Sequence, residues 1–362
     1  MKLTSMRRRK SMRSLGLLIT ALVLLAVVIA IFVFFYLQRY MVYSADGAQL
    51  NKDATFGTAA IPEPTSTISP QLIYDDPIPE DELAAMAPVE MPELEKLNAV
   101  FVSYNELADI PALEARLKDM EYSSLVIQVK RDHGNLAWQS AIPGTAEYCE
   151  GTPDVLEFFK SQAEMGKYLV AKISCFRDDL FALDHQSEGL PITGGALWVD
   201  SDNYYWMSPE SPSALNYIIS IGTELKGYGF SELLLDNFSY PTSGNPSSII
   251  YSSSTPKATA ISSGADLIRS SLSVVGMRVS IQCAASTCSS GANSGAGHNM
   301  SELVSRFDRI YVELDAGSNI GGVIDGLVMS SGGKVFMENW VVFITASNDT
   351  RFQEYGVAKV SE

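Results

Sequence analysis

Phe230-Ser-Glu-Leu-Leu-Leu-Asp236-Asn237-Phe-Ser-Tyr240-Pro241 is the stretch on which the fold reading turns. Three consecutive leucines predict a short buried strand, ended by Asp236-Asn237 and a Tyr-Pro turn. Upstream, Ser211 to Gly229 has helical spacing and stops at Gly227-Tyr-Gly229, a C-terminal stop signal. Helix, apolar strand and strand-end carboxylate together make one unit of a parallel α/β fold, whose ligand face lies at the C-terminal strand ends. Asp236 is therefore the first functional candidate; a cap of the following turn is the plainer reading of it.

Working outward, the same alternation repeats. Strands are predicted at 98–103, 124–130, 167–176, 277–283, 307–314 and 335–345, with helices at 109–120, 152–166, 258–274 and 299–306. Counting the strand that ends at Asp236 gives seven. An eighth would come from splitting 335–345 or from the tail near 355–360. This number of βα units in about 265 residues predicts a (β/α)8 TIM-like barrel, complete or degenerate. A doubly wound open sheet is the alternative, but no Gly-x-Gly-x-x-Gly follows any strand.

Alternation within strands predicts a greasy face under the helices and a polar face in the lumen. Leu125, Ile127 and Val129 alternate with Gln128 and Lys130, and Ile173 and Cys175 with Lys172 and Ser174. Val279, Ile281 and Cys283 alternate with Arg278, Ser280 and Gln282, and Ile310, Val312 and Leu314 with Arg309, Tyr311 and Glu313. Lys130, Lys172, Asp236, Gln282 and Glu313 are thus expected to converge on one mouth.

The chain carries 26 basic and 42 acidic residues, but seven of the basic ones lie in residues 1–39, which hold no acid. The remainder has 19 basic against 42 acidic residues, and so acidic a body argues against binding nucleic acid. Leu15 to Leu37 is uncharged and apolar, long enough to cross a bilayer, and six basic residues precede it. The reading is a basic cytoplasmic tail (1–14), a single-pass anchor (15–37), a Pro/Ala/acidic disordered linker outside the membrane (38–96) and a barrel (97–362). A cleaved signal peptide is the alternative, though no small-residue cleavage site follows the apolar run. The four cysteines form no Cys-x-x-Cys, and His133, His185 and His298 are scattered, so neither metal nor cofactor is expected. Cys283 and Cys288 could close a small disulfide loop; free thiols fit equally.

A mouth with carboxylates and flanking aromatics suits carbohydrate, because sugar faces stack on aromatic rings while carboxylates bind hydroxyls. Trp198, Asp200, Asp202, Asn203, Tyr204, Tyr205 and Trp206 crowd one loop, and Tyr240 follows Asp236. The alternative for that loop is a self-packed lid. Glycoside hydrolysis needs two carboxyl groups, nucleophile or base and proton donor. Asp236 is the first; Glu313, Asp315 and Glu338 are candidates for the second, with Glu313 preferred.

Four ordered pieces carry a family resemblance: Leu-Val-Ile-Gln-Val-Lys-Arg-Asp-His-Gly (125–134), Leu-Val-Ala-Lys-Ile-Ser-Cys-Phe-Arg-Asp-Asp-Leu-Phe-Ala (169–182), Ala-Leu-Trp-Val-Asp (196–200) and 208–241. Together they resemble the putative glycosyl hydrolase domain family (domain of unknown function 4015), a TIM-barrel group, over about residues 98–345. The resemblance implies functional weight for Asp236, Lys130, Asp132 and the Arg177-Asp178 pair. It also implies acidic residues where this chain has Gln128, near Arg131 and at Gln282. Lys130, Asp132, Lys172, Arg177, Asp178, Trp198, Asp200, Trp206, Asn237, Tyr240 and Gln282 are the expected substrate contacts around Asp236 and Glu313. The expectation is a membrane-anchored hydrolase of external or envelope glycan; a degenerate barrel that binds glycan or scaffolds envelope proteins is the alternative.

Overall fold

The computed structural model describes residues 41–44, 47–50, 89, 91, 93–251, 254–314, 318–332, 339–347, 352 and 354–360. Leu15–Leu37, Asp315 and Glu338 lie outside these; among the described residues no helix is long and apolar enough to cross a membrane. The chain divides into two units, Met1–Pro77 and Ile78–Glu362. In the first, Met41–Ser44 pairs antiparallel with Gly47–Leu50, a β-ribbon within the stretch expected to be a structureless linker.

The second unit is a closed eight-stranded parallel barrel. Its strands are β1 (Asn98–Val102), β2 (Ser124–Lys130), β3 (Tyr168–Ser174), β4 (Glu232–Asp236), β5 (Arg278–Ala284), β6 (Ile310–Glu313), β7 (Val341–Thr345) and β8 (Gly356–Lys359). Each pairs with its neighbours in sequence, and β8 closes on β1. The eighth strand is thus the tail, and 341–345 stays whole. Helices α1 (Ile110–Leu117), α2 (Pro153–Glu164), α3 (Asp179–Asp184), α4 (Pro212–Gly227), α5 (Lys257–Ser273), α6 (Ala285–Ser290), α7 (Met300–Arg306) and α8 (Ile320–Ser330) lie between the strands. Local chemistry explains the entry to β4. Ser211 Oγ caps α4 by accepting from the Ala214 N–H, Pro212 fixes its first turn, and Gly229 (φ +98°) reverses the chain into the strand.

The β4 leucines are all apolar because both faces of the strand are buried: Leu233 and Leu235 pack under the helices, Leu234 in the lumen. The alternation holds elsewhere too. Leu125, Ile127, Val129, Ile173, Val279, Ile281, Ile310 and Val312 all join the outer core, while Val126, Val170, Leu234, Tyr311 and Val342 fill the lumen. The N-terminal end of the lumen is closed by a polar plug. Buried Arg309 pairs with buried Glu232, whose carboxylate also accepts from Tyr168 Oη (2.8 Å) and Tyr311 Oη (2.9 Å). Arg309 also donates to the Glu95 carbonyl, and Asn339 to that of Leu94, so the last residues assigned to the linker belong to the barrel floor.

Lys130 departs from the expected phase. The β2–β3 register slips between Gln128 and Lys130, so Gln128 pairs with Lys172 but Lys130 pairs with Ile173, an outer-core residue. A one-residue bulge turns a side chain to the other face of the sheet. Lys130 is buried, its Nζ 2.7 Å from the Asp178 carboxylate and 2.6 Å from the Ser174 carbonyl, with the ring of Tyr217 on α4 above it. It buttresses the wall rather than lining the mouth.

Candidate active site

The C-terminal ends of β4, β5 and β6 open into a cavity of about 510 Å3, walled by Asp236, Asn237, Gln282, Glu313, Thr242, Asn293 and His298 among others. Its chemistry starts with Asp236, which closes β4. One carboxylate oxygen is 3.0 Å from Lys172 Nζ and the other accepts the Asn237 N–H. Burial alone would lower the pKa of Lys172, but the carboxylates of Asp236, Glu313 and Asp132 outweigh it and raise it, so the ammonium persists. Gln282 Nε2 donates to Glu313 at 2.9 Å, while its Oε1 is buried without a hydrogen-bond partner among the described residues. Asn237 sits at φ +49°, a left-handed position that asparagine tolerates, and this aims its amide back at the strand ends. Nδ2 donates to Asp132 Oδ1 (3.0 Å) and Ser174 Oγ (2.9 Å), linking the turn after β4 to the ends of β2 and β3.

Beside the cavity stands a second polar cluster, on the β3–α4 connection. Arg177 forks to three carboxylates: Asp132 (2.6 Å), Asp200 (2.8 Å) and Asp202 (2.7 Å), with the Tyr204 ring stacked 4.1 Å from its guanidinium. Buried Asp200 also accepts from Trp206 Nε1 and from the N–H groups of Asp202 and Tyr204. Burial pushes the Asp200 pKa up, but the hydrogen bonds from Trp206, Tyr204, Arg177 and Asp202 prevail and hold it below the usual value. Asp178 is fully buried, capping α3 through the Phe181 N–H while pairing with Lys130.

The expected convergence is therefore partial. Asp236, Asn237, Gln282 and Glu313 share the cavity, and Lys172 reaches it through Asp236. Asp132 and Arg177 connect to it through Asn237. Lys130 and Asp178 are a buried wall pair. Trp198 and Trp206 are 3% and 6% exposed, their indole N–H groups committed to the Asn245 carbonyl and to Asp200. They are packed inside the 197–206 loop and present no stacking face over the mouth, as the self-packed-lid alternative has it. Tyr240 is likewise buried, donating to Glu210. Cys149, Cys175, Cys283 and Cys288 are free thiols.

The sequence reading missed His298 and Asn293, which come from a short ribbon pairing Ala292–Asn293 with His298–Asn299. A lone histidine in a Ser/Gly-rich loop carries no spacing signal; only the fold brings it to the strand ends. Among the described residues no group of three His, Cys, Asp or Glu side chains is placed to hold a metal ion.

Comparison with solved structures finds similar barrels. The glycoside hydrolase domain of PgaB (BpsB) from Bordetella bronchiseptica superposes with a TM-score of 0.50 at 13% identity, over 74% of this chain and 94% of that one. A hypothetical protein from Ruminiclostridium thermocellum gives 0.45 at 20% identity, over 50% and 96%. Ega3 of Aspergillus fumigatus, solved with galactosamine, gives 0.42 at 8%, over 71% and 81%. No curated protein matches in sequence. The model of the family described as "putative glycosyl hydrolase domain" matches residues 99–312, from β1 to the middle of β6 and well over half the chain, and the protein belongs to that family.

Proposed function

We propose that the protein is a glycoside hydrolase of polysaccharide or cell-envelope glycan, held at the outer face of the membrane by residues 15–37. The observation that supports catalysis is the presence of two carboxylates, Asp236 and Glu313, in one open cavity at the C-terminal strand ends. Asp236 is ion-paired to a lysine that stays charged, which suits it to act as nucleophile or base. Glu313 is exposed to the cavity and takes the role of proton donor. Whether water or Asp236 attacks the anomeric carbon follows from the carboxyl separation with substrate bound, about 5–5.5 Å for retention and 6.5–9.5 Å for inversion.

The second reading, a barrel that binds glycan without cleaving it, is favoured by Gln282. The family resemblance implies an acid at this position, and an amide that donates to Glu313 cannot relay a proton as an acid does. Reducing-end release from a panel of envelope and extracellular glycans separates the two. Wild-type turnover that falls at least roughly 10^3-fold in Asp236→Asn, about 4 kcal/mol of transition-state stabilisation, establishes the hydrolase. Turnover appearing only in Gln282→Asp, which puts back the acid that the family resemblance implies, marks the natural chain as a binder. Turnover untouched by Asp236→Asn removes the assignment.

A further inference from the structure

His298 lines the cavity beside Asp236, Gln282 and Glu313, and its ring is held by one hydrogen bond to the backbone. Its Nε2 lies 2.9 Å from the Phe238 carbonyl, which can only accept, so the proton is on Nε2 and Nδ1 carries a lone pair. Nδ1 has no protein partner among the described residues, and the residue that carries it lines the cavity while staying 8% exposed. Burial lowers the pKa of the ring, which keeps it neutral at neutral pH. The backbone is braced to hold it there. Ala296, the next cavity residue upstream, accepts from the Tyr240 N–H at 2.9 Å and donates to Asn293 Oδ1 at 3.1 Å. Gly297 takes φ +78° where a Cβ would come within 2.9 Å of the Lys257 carbonyl, so the chain passes a point only glycine fits before reaching His298. Buried polar atoms are as a rule hydrogen-bonded, and Nδ1, on a residue of the cavity wall, has no such partner among the described residues.

We infer that His298 is a ligand-binding residue of this cavity, its Nδ1 accepting a hydrogen bond from an O–H or N–H group on a bound sugar ring. The inference rests on the glycan reading of the site and adds a specificity contact to it. A sugar donor on Nδ1 would be read in the same cavity as the carboxylates of Asp236 and Glu313, and a ligand lacking a donor there leaves a lone pair desolvated without a partner.

Calorimetric titration of the full chain in detergent with three oligosaccharides tests this: cellohexaose, whose donors are hydroxyls; chitohexaose, which adds an amide N–H; and its de-N-acetylated form, which adds an ammonium. His298→Gln is the informative variant, because its terminal amide can keep the donation to the Phe238 carbonyl while its own acceptor, Oε1, sits on the chain end and is displaced from the Nδ1 position. The expected result is binding of at least one sugar to the wild type and a roughly 3–10-fold weaker Kd in His298→Gln, the size of one lost neutral hydrogen bond. The sugar that loses most identifies the donor. A nitrogen-15 spectrum of the wild-type ring should show a proton on Nε2 and a bare Nδ1 whose resonance moves on ligand addition. Equal affinity in wild type and His298→Gln, or a proton on Nδ1, overturns the inference while leaving the glycan reading standing. Binding of none of the three by the wild type overturns the ligand assignment together with that reading.

Discussion

The two polar clusters at the barrel mouth are alike in composition and opposite in bonding. On the 197–206 side, Arg177 spends its fork on three carboxylates, Asp200 takes four donors, and both indoles are paired. On the β4–β6 side, Gln282 Oε1 and His298 Nδ1 lack partners among the described residues, where Glu313 accepts from a single amide. A polar group left unsatisfied in a folded protein costs free energy, whereas a completed network rigidifies. The saturated cluster ties the long β3–α4 connection to the end of β2. The under-bonded cluster leaves hydrogen-bonding capacity unused at the cavity wall, at His298 Nδ1 and on Glu313.

The largest test of this contrast is Lys130, which the bulge in β2 moves from the mouth into the wall. Lys130→Met leaves Asp178 buried without its cation, a loss of about 3–5 kcal/mol for a broken buried pair. Urea unfolding should show a large drop in midpoint, and whatever glycan affinity the folded fraction has should match the wild type. A Lys130→Met protein of normal stability with lost glycan binding would return this residue to the mouth and break the division.

Most of the barrel is legible in the sequence because strand alternation and helix stops act locally. Leu125, Val279 and Ile310 fall on the predicted faces since each strand's period of two propagates undisturbed from its neighbours. Lys130 is misplaced for the converse reason: a bulge is a property of the β2–β3 register, which no single strand displays. Asp236, Gln282 and Glu313 are found by being the polar residues at strand ends. Trp198 and Trp206 show the limit of composition, since an aromatic loop reads the same whether its rings face solvent or its own interior. His298 reaches the site through a ribbon and a Tyr240–Ala296 hydrogen bond, contacts between loops about 56 residues apart that leave no local pattern.

A matched pair of substitutions sharpens the contrast at smaller amplitude. Trp206→Phe deletes one donor to a buried carboxylate and should cost about 2 kcal/mol, the scale of a hydrogen bond to a charged group. Gln282→Ala deletes an amide whose oxygen is already unpartnered, so its unfolding free energy should stay within about 0.5 kcal/mol of wild type. Chemical denaturation of both variants under one condition decides the matter. If Gln282→Ala costs more than Trp206→Phe, the under-bonded side is carrying the fold and the functional division fails.

The smallest expected effect is a pH response confined to one side. Asp200 has a folded pKa below its unfolded value of about 3.9, so its contribution to stability is complete above that value. As pH falls through about 4 and on through the depressed folded pKa, Asp200 binds a proton, and its bonds to Arg177, Trp206 and the Asp202 and Tyr204 amides weaken together. Protection factors for those two amides, corrected for intrinsic exchange, should therefore hold from pH 7 to 5 and decline between about pH 4 and 2. Asp200→Asn should show low, pH-flat protection there, since the anion is already absent. The Ala296 amide, held by the neutral Asn293 side chain on the cavity side, should be insensitive over the same range. Parallel loss at both places would mean that acid loosens the whole barrel, and that the 197–206 loop has no electrostatic anchor of its own.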